Sequence, residues 1–581
     1  MIVIRNKNID KKVIDELAKK YKVNKKVIEL LLNRGYKKED LGKYIQKDDF
    51  YLGKYDSIKN CTEAAIIIKS YLEDDEASIY VYADYDCDGV MARSVMEGVL
   101  VAIKESLGSK TNLTFKTPNR SEGYGLSLNW CKKTFPKKTT KRNLVITVDN
   151  GITKREEVEY LKSKGVEVII TDHHAPKQGY TPECLIVDPW LNDVNDENSL
   201  GLCGAAVAFK VCGKLLELLG DESNFILNFL PNAGIATITD IMPATQENIG
   251  LVSYTLWLIK NGYASEAINH YKDYINREIT IKDIAFEIGP QINACGRMGQ
   301  IQVATNFINS SNEEELEEFY NIMVTLNDER KKLEKQIVED ILKNDYSEDL
   351  IIIAYVPQLG GLGGTVASKI VEYYKRPCIL LTGTGEVLHG SARAINGLSL
   401  HALFTQEIEK GNLVDFGGHH AAAGVSVLAN KIEDLRKSIN TTLATLMLES
   451  NEEVVEEPVY EVDKAISLKE INKTTISPYN DIIYFGGLKE PTFVLKDLNV
   501  IRARSSANNP NHLCLNLEDD TVKAIKNRYG ELVGKELWIW NKMNDYKELG
   551  EPKKVNLIGK LVPDFRNPKF YTFEVEVIIP A

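Results

Sequence analysis

Apolar and polar positions along the chain change rhythm several times. Over residues 1–60, Leu17, Val23, Val27, Leu30 and Leu31 recur at helical steps, which predicts amphipathic helices. From residue 61 the pattern turns to short, nearly continuous apolar runs: SIYVYADYD, NLVITVDNG, VEVIITDHH and CLIVDPW. Such runs between helical stretches predict parallel strands buried on both faces. Residues 313–342 contain neither Pro nor Gly, and Leu316, Phe319, Met323, Leu326, Leu333, Ile337 and Ile341 follow helical spacing. That predicts one long connecting helix. A second α/β pattern starts at DLIIIAYV, and SNEEVVEEP then reads as an acidic linker. Near the end, Phe573, Val575 and Val577 alternate with Thr572, Glu574 and Glu576, as on half-exposed strands.

The expected fold is therefore α/β. Two α/β lobes are joined by a long helix, with an N-terminal helical segment and a C-terminal β-barrel. The expected boundaries are 1–60 (helical), 61–310 (parallel-sheet lobe), 311–345 (connector), 346–448 (smaller lobe), 449–458 (linker) and 459–581 (barrel). About 120 residues of short strands suit a small barrel of the oligonucleotide-binding type. In it, Trp538 and Trp540 share a strand face and are expected in the core. Tyr484, Phe485 and Phe493 lie near Lys496, Arg502 and Arg504. That set could stack bases, but aromatic residues in small β domains are more often core.

The chain's 581 residues exceed a single core. No apolar stretch approaches the roughly 20 residues of a membrane span, and the start lacks a secretory pattern. No membrane partner and a cytoplasmic location are expected. Nine scattered cysteines without a CxxC pair argue against a disulfide framework or zinc ribbon; Cys87, Cys203 and Cys295 should be buried thiols. The net charge of −12 argues weakly against a nucleic-acid coat protein. It does not exclude a nuclease, whose acids are neutralised locally by metal ions.

The chemistry gathers at the strand ends. Asp84, Asp86 and Asp88 follow the first strand, Asp149 the next, Asp172-His173-His174 the next, and Asp188 the last; Asp240 lies in ATITDIMP. In open parallel sheets, ligand sites lie beyond the carboxyl ends of strands. Carboxylates with imidazole and no thiolate favour Mn²⁺ or Mg²⁺. Five or six such ligands are enough for two ions that would activate a water for in-line attack on phosphorus. Any one of these acids could instead be a helix cap. The twelfth position counted from Asp84 is Val95 and not an acid, which argues against a calcium loop.

The motifs DYDCDG, VDNG, TDHH and TDIMP, in this order, resemble the DHH phosphoesterases. PNRSEGYGLS, LCGAAVAFK, GPQINACGRMG, LNDERKKLEKQI, GGTVASKIVEYYKRP, HGSARA and FGGHHAAAG narrow the resemblance to the RecJ-type single-strand exonucleases, over roughly residues 20–430. The resemblance implies a 5′→3′ single-stranded-DNA exonuclease of recombination and repair, using two divalent ions, with Mn²⁺ favoured and Mg²⁺ possible. It implies metal ligands Asp86, Asp88, Asp149, His173 and Asp240, with Asp84 as a further ligand or hydrogen-bond acceptor. His174 and Asp172 would orient ligands or meet the scissile phosphate. The smaller, DHH-associated lobe would bind the strand end through Ser391, Arg393, Gly417, Gly418 and His419, with Arg120 and Arg297. Apart from the resemblance, the commoner readings are a tight turn at Gly-Gly-His-His and an ion pair between Arg393 and a carboxylate. Single-stranded DNA is the expected partner of a monomer, with a helicase or single-strand-binding protein as possible companions. The chain departs from the family at Gln291, at QLGGLGG (358–364) and at FGGLKEPTF, as a divergent, mobile-element relative would. Two alternatives remain: a DHH phosphodiesterase acting on short RNA or cyclic dinucleotides, and a non-catalytic replication scaffold.

Overall fold

The computed structural model describes residues 1–45, 50–177, 179–192, 201–395, 397–418, 420–450, 458–507, 509–529, 531–564, 567 and 569–581. They form two compact units, residues 53–242 with 254–455, and residues 1–52 with 243–253 and 456–581.

The first unit is built on five strands: β1 (Ser78–Ala83), β2 (Asn112–Lys116), β3 (Asn143–Val148), β4 (Glu167–Thr171) and β5 (Leu185–Val187), in the order β2-β1-β3-β4-β5. All pairings are parallel. Every residue of β3 is buried, as its Val/Ile/Leu run requires of a strand covered on both faces. The register matters for the site. Ala83 lies opposite Val148, Val148 opposite Thr171, and Thr171 opposite Val187. Asp84, Asp149, Asp172 and Asp188 therefore form a row, each one residue beyond its strand. The helices α1 (Cys87–Leu107), α2 (Gly204–Leu218), α3 (Leu230–Thr239) and α4 (Gly289–Arg297) belong to this lobe.

The helix α5 (Glu313–Ile341) is the expected connector. Beyond it lies a second five-stranded sheet of β6 (Ile352–Tyr355), β7 (Cys378–Thr382), β8 (Val387–Arg393), β9 (Asp415–Gly418) and β10 (Ala422–Leu428), in the order β9-β10-β8-β7-β6. Only β6 and β7 run parallel. Ile353, Ile379, Leu381 and Phe404 form one core of this lobe. Another core packs Ile352 and Leu380 with Ile337 and Ile341 of α5 and with Val366 and Ile370 of α6 (Gly363–Tyr374).

The second unit holds β11 (Lys464–Ile466), β12 (Phe493–Ser505), β13 (Leu513–Glu518), β14 (Lys535–Ile539), β15 (Lys554–Pro563) and β16 (Tyr571–Pro580). The order is β14-β13-β12-β15-β16, with β11 beside β12. Among the described residues no ladder closes this sheet, which is compatible with an oligonucleotide-binding type of domain. The N-terminal strand Ile2–Ile4 pairs with Tyr460–Val462. Arg34 holds Asp463 at 2.7 Å, with both side chains nearly buried.

The bland reading of Phe485 and Phe493 holds, since both are buried; Tyr484 is partly buried and donates to the Tyr479 carbonyl. The reading of Trp538 and Trp540 does not. Leu537 and Ile539 take the inward positions of β14, so the period of two turns both tryptophans outward. Trp540 is 46% exposed. The pair lines a cavity of about 430 Å³ with Phe570, Tyr571 and Lys535. Among the described residues no disulfide forms, and every cysteine except the half-buried Cys184 is buried. Among the described residues no helix is long and apolar enough to cross a membrane.

Candidate metal centre and phosphate site

The turn after β1 is fixed by close packing. Asp86 caps α1 by accepting from the Gly89 amide at 3.1 Å. A Cβ on Gly89 would sit 2.5 Å from the Asp84 carbonyl oxygen, so only glycine lets the helix begin there. Asp88, in the first turn, is buried and faces the start of α2. Its two oxygens accept from the amides of Gly204 and Ala205 at 2.6 and 2.7 Å. Asp149 has φ +62°, a conformation that Asp adopts more readily than most residues. A Cβ on Gly204 would lie 2.5 Å from its carboxylate.

The histidines complete the cluster. His173 Nε2 lies 3.1 Å from Asp149, 3.5 Å from Asp88 and 3.7 Å from Asp240. Three sets bring their ligand atoms within 4.8 Å of one another: Asp84 with Asp86 and Asp149, Asp88 with His173 and Asp240, and Asp149 with His173 and His174. Asp172 lies behind them. It accepts from His174 Nδ1 at 2.8 Å, from the His173 and His174 amides, and from the Ile152 amide at 2.9 Å. Such outer contacts set the orientation of a ligating imidazole.

The electrostatics call for cations. Burial pushes Asp84 well up, and the charge of Asp86 adds to it. Burial and the charges of Asp88 and Asp86 do the same to Asp149. Asp240 is pushed up to about 8 by desolvation and by Asp88 and Asp86. Burial lowers His173, favouring the neutral, ligating form. His174 is raised to about 9: burial opposes this, but the hydrogen bond and charge of Asp172 outweigh it. Unit charges about 5 Å apart repel by roughly 3–4 kcal/mol at a dielectric of about 20. Among the described residues Asp84 Oδ1 and Asp149 Oδ1 are buried without a hydrogen bond, the latter with the His173 nitrogen 3.1 Å away. Buried orphan oxygens, a neutral imidazole and no thiolate fit hard divalent cations.

A basic site faces this acidic one across the lobes. Arg297, at the end of α4, donates to the Gly361 carbonyl at 3.0 Å. A Cβ on Gly361 would lie 2.7 Å from the Arg297 carbonyl oxygen and 3.1 Å from Arg120 Cδ. Cβ atoms on Gly363 and Gly364 would lie 2.7 Å from Ser391 Oγ and Arg393 Nη2. Arg120, Arg297, Ser391 and Arg393 thus gather around residues 361–364. Arg393 is half-buried and has no carboxylate partner among the described residues, so the ion-pair reading of it is set aside. Gly417 lies in the same cross-strand row as Ser391, paired through Gly424, and Gly418 follows it. His419 lies outside the described residues.

Three side chains join the site without having been singled out from the sequence. The Tyr124 hydroxyl lies 3.2 Å from His174 Nε2. Trp190 Nε1 donates to the His173 carbonyl at 3.0 Å. Glu334, buried on α5, binds Arg330 and Lys369 at 2.7 Å and Thr365 at 2.8 Å. All three sit inside motifs already quoted, PNRSEGYGLS, VDPW and LNDERKKLEKQI; for the first two an aromatic beside a strand-end motif was the available signal.

Comparison with known proteins decides the lobe's lineage. Residues 78–231 match the DHH family, N-terminal domain. By this match the segment is similar to a DHH domain. The single-stranded-DNA-specific exonuclease RecJ of Bacillus subtilis is 29% identical over 524 residues, covering 88% of this chain and 64% of that protein. The chain thus spans under two thirds of that relative's length. A putative SPbeta prophage-derived single-strand DNA-specific exonuclease, YorK, is 23% identical over 581 residues, 94% of this chain and 95% of its own. The crystal structure of Thermus thermophilus RecJ in complex with Mn²⁺ matches with TM-score 0.77 and 22% identity, over all of this chain and 79% of that one; the same protein is also known with Mg²⁺. The RecJ-type resemblance read from the motifs around the DHH domain is borne out by these matches.

Proposed function

We propose that the chain is a single-strand-specific DNA exonuclease that hydrolyses phosphodiester bonds from the 5′ end with two divalent cations, Mn²⁺ favoured and Mg²⁺ accepted. The observation that carries this reading is the convergence of Asp84, Asp86, Asp88, Asp149, His173 and Asp240 on one crevice. These residues would hold the ions. When bound, the ions would neutralise charge on the phosphate and supply the attacking water.

The remaining roles fall to the protein's own groups. Arg393, Ser391, Arg297 and Arg120 clamp the terminal phosphate; guanidinium forks bind phosphate with paired hydrogen bonds. Asp172 fixes His174 through Nδ1, leaving Nε2 directed at Tyr124. Asp88 ties the start of α2 to the crevice and keeps Gly204 against Asp149. A place in recombination and repair, alongside a helicase or single-strand-binding protein, is what the resemblance to RecJ-type exonucleases implies and belongs to the same proposal.

The test is a time course on 5′- and 3′-labelled single-stranded DNA, RNA and blunt duplex, with Mn²⁺, Mg²⁺ or chelator. Early release of mononucleotide from the 5′ label, only with a divalent ion, is expected. Digestion of blunt duplex as fast as the single strand, or first release from the 3′ end, would overturn the reading.

A further inference from the structure

The parallel sheet orders the crevice like a ruler. β2 and β5 are its two edges, four spacings of about 4.7–4.9 Å apart, or roughly 19 Å. Arg120 lies in the connection after β2, Asp84 to Asp88 follow β1, Asp149 follows β3, His173 and His174 follow β4, and Trp190 follows β5. Arg120 lies against Tyr85, on the β1 side of the crevice, and Trp190 stands past the β5 edge, with Asp149 and His173 following the strands between them. A line of rings runs the same way. The Arg120 guanidinium lies 5.0 Å from the Tyr85 ring, Tyr85 is 6.4 Å from Tyr124, Tyr124 is 5.9 Å from His174, and His174 is 4.4 Å from His173.

Trp190 is held in place yet open. Its amide donates to Asp188 at 2.9 Å and its indole Nε1 to the His173 carbonyl at 3.0 Å. Even so, 56% of the residue is exposed. An aromatic side chain normally buries its large apolar face. One pinned by its edge beside a metal-site histidine, with that area facing solvent, is built to receive a flat apolar partner. The following step rests on the function proposed above. With the terminal phosphate at the arginine end and the cut made among the acids, the strand beyond the cut reaches the β5 edge.

We propose that Trp190 is a stacking platform for a nucleobase on the 3′ side of the cut, gripping the strand that remains after each cleavage. Every base has a π-face, so the grip tolerates any sequence. It also requires an unpaired base, which adds to the preference for single strands.

The experiment measures binding of a fluorescent, 5′-phosphorylated oligo-dT to the full chain in chelator, so that no cleavage intervenes. Trp190→Ala is expected to weaken binding by about tenfold and Trp190→Phe by only about twofold, the range set by base–aromatic stacking. Oligonucleotides carrying one abasic site at successive positions are then compared. At one position the lesion should weaken the parent and leave Trp190→Ala unaffected. Parent-like binding by Trp190→Ala would overturn the proposal. So would Trp190→Phe binding as poorly as Trp190→Ala, because the indole hydrogen bond, and not the ring, would then be what matters. The abasic series on the parent decides the matter even if Trp190→Ala fails to fold: no position-specific loss overturns it. Cleavage of the same oligonucleotide by the parent in Mn²⁺ tests the underlying reading separately. Absence of cleavage sinks that reading, whereas cleavage with normal binding by Trp190→Ala sinks the platform alone.

Discussion

The DHH lobe and the smaller lobe use one device for opposite ends. In each, a helix begins at glycines because a functional side chain lies where a Cβ would be. At the start of α2, Gly204 leaves room for Asp149, and the helix amides are occupied by the carboxylate of Asp88. At the start of α6, Gly363 and Gly364 leave room for Ser391 and Arg393, and no side chain caps the helix. A helix start favours negative charge. One lobe satisfies that preference internally and so anchors an acid beside a cation site. The other leaves it beside Arg393, whose guanidinium donates to the Ala392 carbonyl and meets no carboxylate among the described residues, where the proposed function would seat a phosphate. Under the proposed function, the same local geometry would serve a pocket for cations in one lobe and a pocket for an anion in the other, according to which charge the protein supplies itself.

The largest expected effect breaks the acidic side. Asp149→Ala should reduce cleavage of single-stranded DNA at least about a thousandfold, as loss of a core group in metal catalysis does, while the circular dichroism melt stays near the parent's. Next come the glycines. Gly204→Ala should cost about a hundredfold in kcat by displacing Asp149, a misplacement of the kind that disrupts near-attack geometry. Gly364→Ala should act mainly on KM, and only for 5′-phosphorylated strands. Arg393→Ala sharpens the contrast further. It should raise KM for 5′-phosphorylated strands by about 10- to 100-fold, the value of a charged hydrogen bond, and leave 5′-hydroxyl strands nearly unchanged. Equal losses on both substrates would place Arg393 outside the phosphate clamp.

The smallest effect concerns a guanidinium that, unlike Arg393, has its partner inside the fold. Asp463 is held below the ordinary carboxylate range. Burial opposes this, but the hydrogen bond and charge of Arg34 outweigh it, with help from the Thr492 amide and Arg5. Its contribution to stability is therefore complete above the unfolded carboxylate pKa and fades as pH falls through the lower folded value. Asp463→Asn should lower the melting temperature at neutral pH, and that deficit should shrink at acid pH.

Much of this was legible in the sequence because the strands announce themselves. The runs in SIYVYA, NLVITV and EVIIT are nearly continuous and apolar, so their number, direction and covering helices follow, and the acids at their ends fall on one edge. The register that puts Asp84, Asp149, Asp172 and Asp188 in a row could not be read, because nothing local fixes how one parallel strand slides against another. The convergence of Arg120, Arg297 and Arg393 was implied only by family resemblance. It depends on how residues 361–364 pack between lobes, which no periodicity encodes. Trp538 and Trp540 show a limit of a different kind. Spacing of two puts them on a common face but does not say which face; the larger claim of Leu537 and Ile539 on the interior decided it.

The buried thiols carry a practical consequence. Burial pushes Cys61, Cys131 and Cys295 up to about 12, so in the native state they offer almost no reactive thiolate. Burial raises Cys184 to about 12 as well, so exposure sets the order: a thiol reagent will label the half-buried Cys184 first and the others only as their surroundings open. Cys203, whose sulfur lies 3.6 Å from the Ala233 carbonyl oxygen at the root of the acidic crevice, becomes an internal clock for the breathing of that crevice, needing no substrate and no engineered probe.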